Sequence, residues 1–201
     1  MFPHWMAFST VTRPNRAWNL PNVLTYGRLV AVPIVAGCLL STDDLQMRWI
    51  ALAIFIVAGV TDFLDGYLAR AWAQQSSLGR MLDPIADKLL VAATLLVLVS
   101  DRMISGWSLW AAIVILCREI LVSGLREFLA ELNVSVPVTK VAKYKTTLQL
   151  VALGFLIAGP AGDAVVPMVS FVGLVLLWIS ALLTLYTGWD YMKAGIKHVV
   201  E

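Results

Sequence analysis

Six long apolar stretches divide this chain, and they leave few folds open to it. The stretches cover residues 23–41, 49–69, 84–100, 104–128, 144–160 and 165–190. A helix needs about 20 mostly apolar residues to cross a bilayer, and in lipid only helices and closed barrels satisfy their own backbone hydrogen bonds. Pro84 suits the first position of the third helix, because proline is favoured there. The lengths predict an all-α polytopic membrane protein with six transmembrane helices.

The composition supports this fold class. Hydrophobic residues make up 60% of the 201 residues, and the mean hydropathy is +0.81. Ordinary soluble domains contain about 45–50% apolar residues, so this chain has more apolar surface than a single soluble domain needs. The net charge of +2 says little by itself about function. We expect no nucleic acid among the partners.

The residues before the first apolar stretch differ in character from the rest. Aromatic side chains lie near Arg13 and Arg16, which suits a segment that lies in the membrane interface. A disordered tail is the alternative. We therefore divide a single domain into an N-terminal interfacial segment (1–21), a six-helix bundle (22–192) and a cytoplasmic tail (193–201).

The distribution of basic residues predicts the orientation, because Arg and Lys favour cytoplasmic segments. With the N-terminus in the cytoplasm, the outer loops contain only Arg48 and Arg102, whereas the inner segments contain twelve basic residues. These twelve are Arg13, Arg16, Arg28, Arg70, Arg80, Lys88, Arg126, Lys140, Lys143, Lys145, Lys193 and Lys197. We therefore expect both termini to face the cytoplasm.

Four aspartates interrupt the apolar pattern between residues 61 and 90. Asp62 and Asp65 are three residues apart, and Asp83 and Asp87 are four residues apart, so each pair shares one face of a helix. A charge at bilayer depth costs roughly 2.5–3.5 kcal/mol on insertion scales. We therefore expect the four carboxylates, at the inner ends of two helices, to bind a ligand.

The chemistry of this stretch favours a hard divalent cation. Carboxylate oxygens suit Mg²⁺ or Mn²⁺, and no histidine or cysteine lies nearby to indicate zinc. Gly66 and Ala69 continue the face of Asp62 with almost no side chain, which lets a ligand approach the backbone, and Arg70 follows them. Carboxylates, a metal ion and an arginine are suited to binding a pyrophosphate and displacing a phosphoryl group. The alternative is a set of solvated charges at the helix ends.

The pattern D62-x2-D65-G66-x2-A69-R70-x8-G79-x3-D83-x3-D87 resembles the signature of the CDP-alcohol phosphotransferases at every position. The segment "LPNVLTYGRL" before the first helix is also similar to that of these enzymes. The resemblance implies a homodimeric fold of six helices with an N-terminal interfacial segment. It also implies transfer of a phosphatidyl group from a CDP-linked lipid to an alcohol, with release of CMP.

The resemblance further implies roles for individual residues. Asp62, Asp65 and Asp83 would hold metal, two ions of Mg²⁺ or Mn²⁺, and Asp87 would complete that site and act as the catalytic base. These two roles of Asp87 compete, because a carboxylate bound to metal is a poorer base. The CDP-linked lipid would bind to Asn22, Thr25, Asp62, Gly66, Ala69, Arg70, Gly79 and Asp83.

Four basic residues farther along the chain form a candidate pocket for the acceptor. Arg118, Arg126, Lys143 and Lys145 lie in or beside the fourth and fifth stretches, and such a cluster suits a phosphate group. Internal pairing is the alternative: Arg118 with an aspartate of the metal site, Arg126 with a nearby glutamate, or Glu119 with a neighbouring helix.

The segments "REILVSGLRE" and "KVAKYKTT" resemble the phosphatidylglycerophosphate synthase branch of the family, whose acceptor is sn-glycerol 3-phosphate. That branch catalyses the first committed step of phosphatidylglycerol and cardiolipin synthesis. The resemblance implies CDP-diacylglycerol, sn-glycerol 3-phosphate and membrane lipids as partners. It also implies a multi-pass protein of the bacterial inner membrane with its active site facing the cytoplasm.

Other interpretations stay open at this point. The same chemistry with inositol phosphate or phosphatidylglycerol as acceptor is one. A divalent-cation transporter is another, since intramembrane carboxylates often mark ion pathways. A transporter predicts carboxylates distributed across the membrane depth, whereas here they cluster at the inner ends of helices. The clustering favours the enzyme.

Overall fold

The computed structural model describes residues 20–41, 44–72, 77–132, 134 and 140–200. Within these ranges, side chains are described except at residues 20, 21, 63–72, 77, 78, 80, 140–143, 194 and 197–200. The predicted interfacial segment therefore lies outside the described residues apart from its last two. The boundaries drawn between segment, bundle and tail stay a prediction.

The described residues form six helices, each of which coincides with most of one apolar stretch. They are α1 (Leu20–Leu40), α2 (Leu45–Trp72), α3 (Ser77–Ser100), α4 (Ser108–Glu131), α5 (Lys140–Asp163) and α6 (Val169–Val200). The all-helical class is therefore confirmed. The ends differ most at α6, which continues ten residues beyond the predicted end at 190, because a helix does not have to stop where its apolar pattern stops.

Four helices in the described part of the chain are long and apolar enough to cross a membrane. The qualifying segments are Asn22–Leu40, Leu45–Asp62, Ser108–Glu131 and Val169–Lys193. Large apolar side chains also point away from the protein, among them Val57, Leu96, Ile120 and Leu182. An outer surface this apolar is expected where lipid replaces water as the solvent, so the fold is that of a membrane protein.

The structure corrects the predicted start of the third helix. Pro84 does not open α3, which begins at Ser77 and contains Pro84 in its interior. Proline cannot donate a hydrogen bond to the preceding turn, but membrane helices tolerate it when neighbouring groups satisfy the freed backbone carbonyl. The earlier start places both Asp83 and Asp87 within the helix, so the two carboxylates do share one face.

α1 packs against α2 and α3, α2 packs against α5, and α6 packs against both α4 and α5. The pairing of α2 with α5 is antiparallel: a Cβ on Gly59 would lie 4.0 Å from Leu150, and one on Gly154 would lie 3.7 Å from Leu52. At a rise of about 1.5 Å per residue, Asp62 therefore lies at the end of the bundle where α5 begins.

The opposite end of the bundle is held by a buried ion pair. The guanidinium of Arg48 on α2 binds the carboxylate of Asp101, just after α3, and donates to the backbone oxygen of Ile157 on α5 at 3.3 Å. α5 is kinked two residues later, where Gly159 has φ 43° and ψ −125°. One arginine thus connects three helices at the end remote from the aspartates.

Candidate functional site

A polar face of α1 begins the site. Asn22, Thr25 and Arg28 follow one another at intervals of three residues and therefore lie on one side of the helix. Each of the three is at most 2% exposed, although the helix around them is mainly apolar. Buried polar groups of this kind require partners, and the face turns toward the aspartates of α2 and α3.

Thr25 and Arg28 contact three of the four aspartates that the sequence singles out. The Thr25 hydroxyl donates a hydrogen bond to the carboxylate of Asp83. Arg28 Nη1 lies 2.8 Å from Asp62 Oδ1 and 2.5 Å from Asp87 Oδ1. One nitrogen atom thus connects α1 to both α2 and α3.

The two carboxylates and the arginine differ sharply in exposure. The Arg28 side chain is 1% exposed, whereas those of Asp62 and Asp87 are 39% and 46% exposed. Both carboxylates therefore have one oxygen held from within the bundle while a large part of each side chain faces outward. A ligand can reach them from that side.

The remaining predicted residues of this site are only partly described. Gly79 is buried in α3, about one turn before Asp83. Asp65, Gly66, Ala69 and Arg70 belong to α2, but their side chains lie outside the described residues. The roles given to these four stay predictions.

A divalent cation requires several hard oxygen ligands that converge on one point. No three His, Cys, Asp or Glu residues come together as a metal-binding group among the residues described. However, Asp62 and Asp87 already direct one oxygen each to a single cationic atom, Arg28 Nη1. Two hard oxygens that converge on one positive charge fit Mg²⁺ or Mn²⁺. The side chain of Asp65, three residues from Asp62, lies outside the described residues.

The predicted basic cluster is organised around Glu119. Lys145 on α5, whose side chain is 3% exposed, donates a hydrogen bond to Glu119 Oε1 on α4. Arg118 Nη1 lies 3.4 Å from the same oxygen, and Arg118 Nη2 donates to Thr187 on α6 at 3.2 Å. Glu119 therefore pairs with a neighbouring helix, as the alternative of internal pairing allows, and Arg118 is held by Glu119 of its own helix and by Thr187 of α6.

The other two members of the cluster have different positions. The Arg126 guanidinium lies over the ring of Tyr191, 5.7 Å from its centroid, and its side chain is exposed. Lys143 belongs to α5, but its side chain is outside the described part of the chain. Arg118 and Lys145 share the single carboxylate of Glu119, so this pair keeps a surplus positive charge.

The basic cluster and the aspartates lie at the same end of the bundle. The antiparallel register of α2 and α5 places Gly59 beside Leu150. Asp62 is three residues from Gly59 and Lys145 is five residues from Leu150, both in the direction of that end. The fold thus brings the carboxylate of Asp62 and the amino group of Lys145 to the same end of the bundle, as the predicted reaction requires.

Sequence reasoning missed two residues of this arrangement. Sequence reasoning treats Arg28 only as one of twelve basic residues on the predicted inner side. Its spacing of three residues from Thr25 indicates that both lie on one face of the helix. Glu119 appears only as an alternative partner, because nothing in the sequence shows that Lys145 lies beside it. In both cases the contact joins side chains on different helices, which local spacing along the chain does not reveal.

Comparison with known proteins gives a consistent result. A sequence model described as CDP-alcohol phosphatidyltransferase matches residues 18–186, a range that includes both the aspartates and the basic cluster. Several curated proteins from bacteria are also similar to this chain over most of its length.

Three of these relatives bear the name CDP-diacylglycerol–glycerol-3-phosphate 3-phosphatidyltransferase. The protein of Cereibacter sphaeroides is 39% identical over 217 aligned residues, covering 92% of this chain and 98% of the relative. That of Rickettsia felis is 43% identical over 180 residues, with 90% and 97% covered. That of Shigella flexneri is 40% identical over 189 residues, with 92% and 98% covered.

The position of Arg118 depends on a glycine, which gives a testable prediction. A Cβ on Gly188 of α6 would lie 2.9 Å from Arg118 Cγ, so Gly188→Ala must displace that side chain. We expect Gly188→Ala to destabilise the protein by about 1–3 kcal/mol, measured as thermal unfolding in detergent. The control is Gly124→Ala on α4, where nothing lies within 4 Å of the added carbon; it should be neutral or stabilising. Equal effects of the two substitutions would contradict the prediction.

Proposed function

The chain belongs to the CDP-alcohol phosphatidyltransferase family, as the aspartate pattern predicts, and from this premise we propose that it transfers the phosphatidyl group of CDP-diacylglycerol to sn-glycerol 3-phosphate. The products are phosphatidylglycerophosphate and CMP. The relatives at about 40% identity carry the name of this enzyme. Among structural observations, the convergence of Asp62 and Asp87 on one buried cation, beside Asp83, carries the proposal.

The aspartates would hold the metal ions. We assign Mg²⁺ or Mn²⁺, two ions, to Asp62, Asp65, Asp83 and Asp87. When bound, the ions supply positive charge that neutralises the pyrophosphate and stabilises the departing CMP. The Thr25 hydroxyl donates to Asp83 and so keeps that carboxylate in a fixed orientation. The surrounding chain therefore positions the acidic groups before any substrate arrives.

Asp87 would also act as the base. It takes the proton from the acceptor hydroxyl as that oxygen forms a bond to the phosphorus of the phosphatidyl group. The bond from this phosphorus to the bridging oxygen breaks, and CMP leaves with the electron pair. The exposed part of the Asp87 side chain is on the side that an acceptor can reach. Its Oδ1, which Arg28 holds, and its other carboxylate oxygen can divide the two roles.

The rest of the CDP-linked lipid has binding groups in the same region. Gly66, Ala69 and Gly79 would leave room for the cytidine, Arg70 would bind the pyrophosphate, and Asn22 with Thr25 would contact the nucleotide. Burial of Asn22 and Thr25 on the polar face of α1 supports a fixed binding surface there.

A membrane-facing groove offers space for an acyl chain. It has a volume of about 510 Å³ and lies between α2 and α5. Val60 and Thr147 line the end nearest Asp62, and Trp49 lines the other. Its walls are almost wholly apolar, so a tail can remain in a lipid-like environment while the head group reacts.

The basic cluster would bind the phosphate of the acceptor. Arg118 and Lys145 share one carboxylate, which leaves net positive charge at a largely buried position, and Arg126 and Lys143 add to it. An anion relieves that surplus, and arginine with lysine is a usual combination for phosphate. Serine and choline carry no phosphate, so either of them as acceptor would need different partners.

We further propose that all six helices cross the bacterial inner membrane, with both termini and the active site in the cytoplasm, and that the protein is a homodimer. Arg48 supports the orientation. It is one of only two basic residues in the predicted outer loops, and it is buried and paired with Asp101. The end of the bundle opposite the aspartates therefore presents even less free positive charge than the sequence count indicates.

Release of CMP by the purified protein tests the function. CDP-diacylglycerol and Mg²⁺ would be supplied with one acceptor at a time: glycerol 3-phosphate, inositol phosphate, phosphatidylglycerol or serine. We expect turnover with glycerol 3-phosphate alone and a loss of at least about 100-fold in Asp87→Asn, because the general base is removed and the metal site loses a negative charge. Turnover with a different acceptor would overturn the assigned acceptor. No CMP from folded protein that binds metal would favour the cation transporter.

The acceptor pocket predicts a selective change in kinetics. Lys145→Met removes a buried cation, so the KM for glycerol 3-phosphate should rise about 10- to 100-fold, as expected for a lost charge-assisted hydrogen bond. The KM for CDP-diacylglycerol should stay within about twofold. Lys193→Met, which changes an exposed lysine of α6, serves as the control. Equal increases in both KM values in Lys145→Met would contradict a role in acceptor binding.

A further inference from the structure

Arg28 contacts the same carboxylate oxygens that the proposed metal site would use. We infer that Arg28 is a positioning residue that competes with divalent metal for Asp62 and Asp87, and thereby sets the affinity of the site for the ion. The inference rests on the proposed function, since it concerns the metal site of that reaction. It gives a role to an arginine that the aspartate pattern does not include.

The geometry places the guanidinium where a bridging cation would lie. Arg28 Nη1 is 2.8 Å from Asp62 Oδ1 and 2.5 Å from Asp87 Oδ1. Mg²⁺ takes carboxylate oxygens at about 2.0–2.1 Å, so an ion that binds these two oxygens from the side of Nη1 would overlap with this nitrogen. Either the ion displaces Nη1 from at least one of these two oxygens, or the ion binds only the carboxylate oxygens that Nη1 does not contact.

Burial keeps Arg28 close to the site whichever of these occurs. Its side chain is 1% exposed, and the next turns of the same face of α1 carry the buried apolar residues Ala31 and Val35. An arginine cannot lose its charge at accessible pH. A displaced guanidinium therefore remains as a positive charge near the ion and lowers the affinity of the site for metal.

The same charge has the opposite effect when metal is removed. Asp62 and Asp87 approach one another closely enough to share a nitrogen, and two carboxylates without a counter-ion repel. Arg28 offsets this repulsion and holds α1, α2 and α3 together. Removing it should therefore weaken the metal-free protein while making the metal bind more tightly.

Titration of the thermal unfolding midpoint with Mg²⁺ after chelation tests this pair of effects. In Arg28→Met, the midpoint without metal should fall well below that of the wild type, and Mg²⁺ should recover most of the loss. The Mg²⁺ concentration for half of the effect should be about tenfold lower than in the wild type, the change expected for removal of a competing charge-assisted contact. Arg28→Lys should lie between the two proteins, and it provides the same readout if Arg28→Met does not fold.

The matched control is Arg48→Met, which removes the other buried arginine paired with an aspartate. It should lower the unfolding midpoint equally with and without Mg²⁺ and leave the Mg²⁺ dependence unchanged. If Arg28→Met or Arg28→Lys behaves in this way, or binds Mg²⁺ more weakly than the wild type, Arg28 has a purely structural or ligand-supporting role and the inference is wrong. A wild type that shows no Mg²⁺ dependence would instead overturn the proposed metal site, and the inference with it.

Discussion

The contact of Arg28 with Asp62 and Asp87 connects the three helices on which the proposed chemistry depends. A buried guanidinium on α1 holds one carboxylate of α2 and one of α3, and Thr25, one turn earlier, holds Asp83. Carboxylates at bilayer depth are costly without partners. The polar face of α1 supplies those partners, and it leaves the outer part of each aspartate open to a ligand.

The other helices supply the second half of the proposed phosphoryl-transfer site. Glu119 of α4 holds Lys145 of α5 and lies beside Arg118, which also donates to Thr187 of α6. Acidic groups thus come from α2 and α3, basic groups come from α4 and α5, and the register of α2 with α5 brings both to one end. At the far end, Arg48 and Asp101 pair with each other. The polar groups proposed to act on the substrates therefore lie at the other end of the bundle.

Much of this arrangement could be predicted from the sequence, and the rest could not for physical reasons. Apolar stretches located six helices, and spacings of three and four residues placed each aspartate pair on one face. The prediction that Pro84 opens the third helix was wrong, because a helix in apolar surroundings can continue through a proline. The contacts of Arg28 and Lys145 join residues on different helices, and local spacing carries no information about such partners.

Anomalous scattering from crystals grown with Mn²⁺ and CMP is the most direct measurement on the central claim, that the aspartates hold metal at the inner end of the bundle. We predict manganese peaks bonded to oxygens of Asp62 and Asp87, with Arg28 Nη1 either withdrawn from at least one of the two carboxylates or kept only on oxygens that the metal does not bind. Manganese at other residues, or carboxylates still bound to Arg28 with no metal beside them, would contradict that claim.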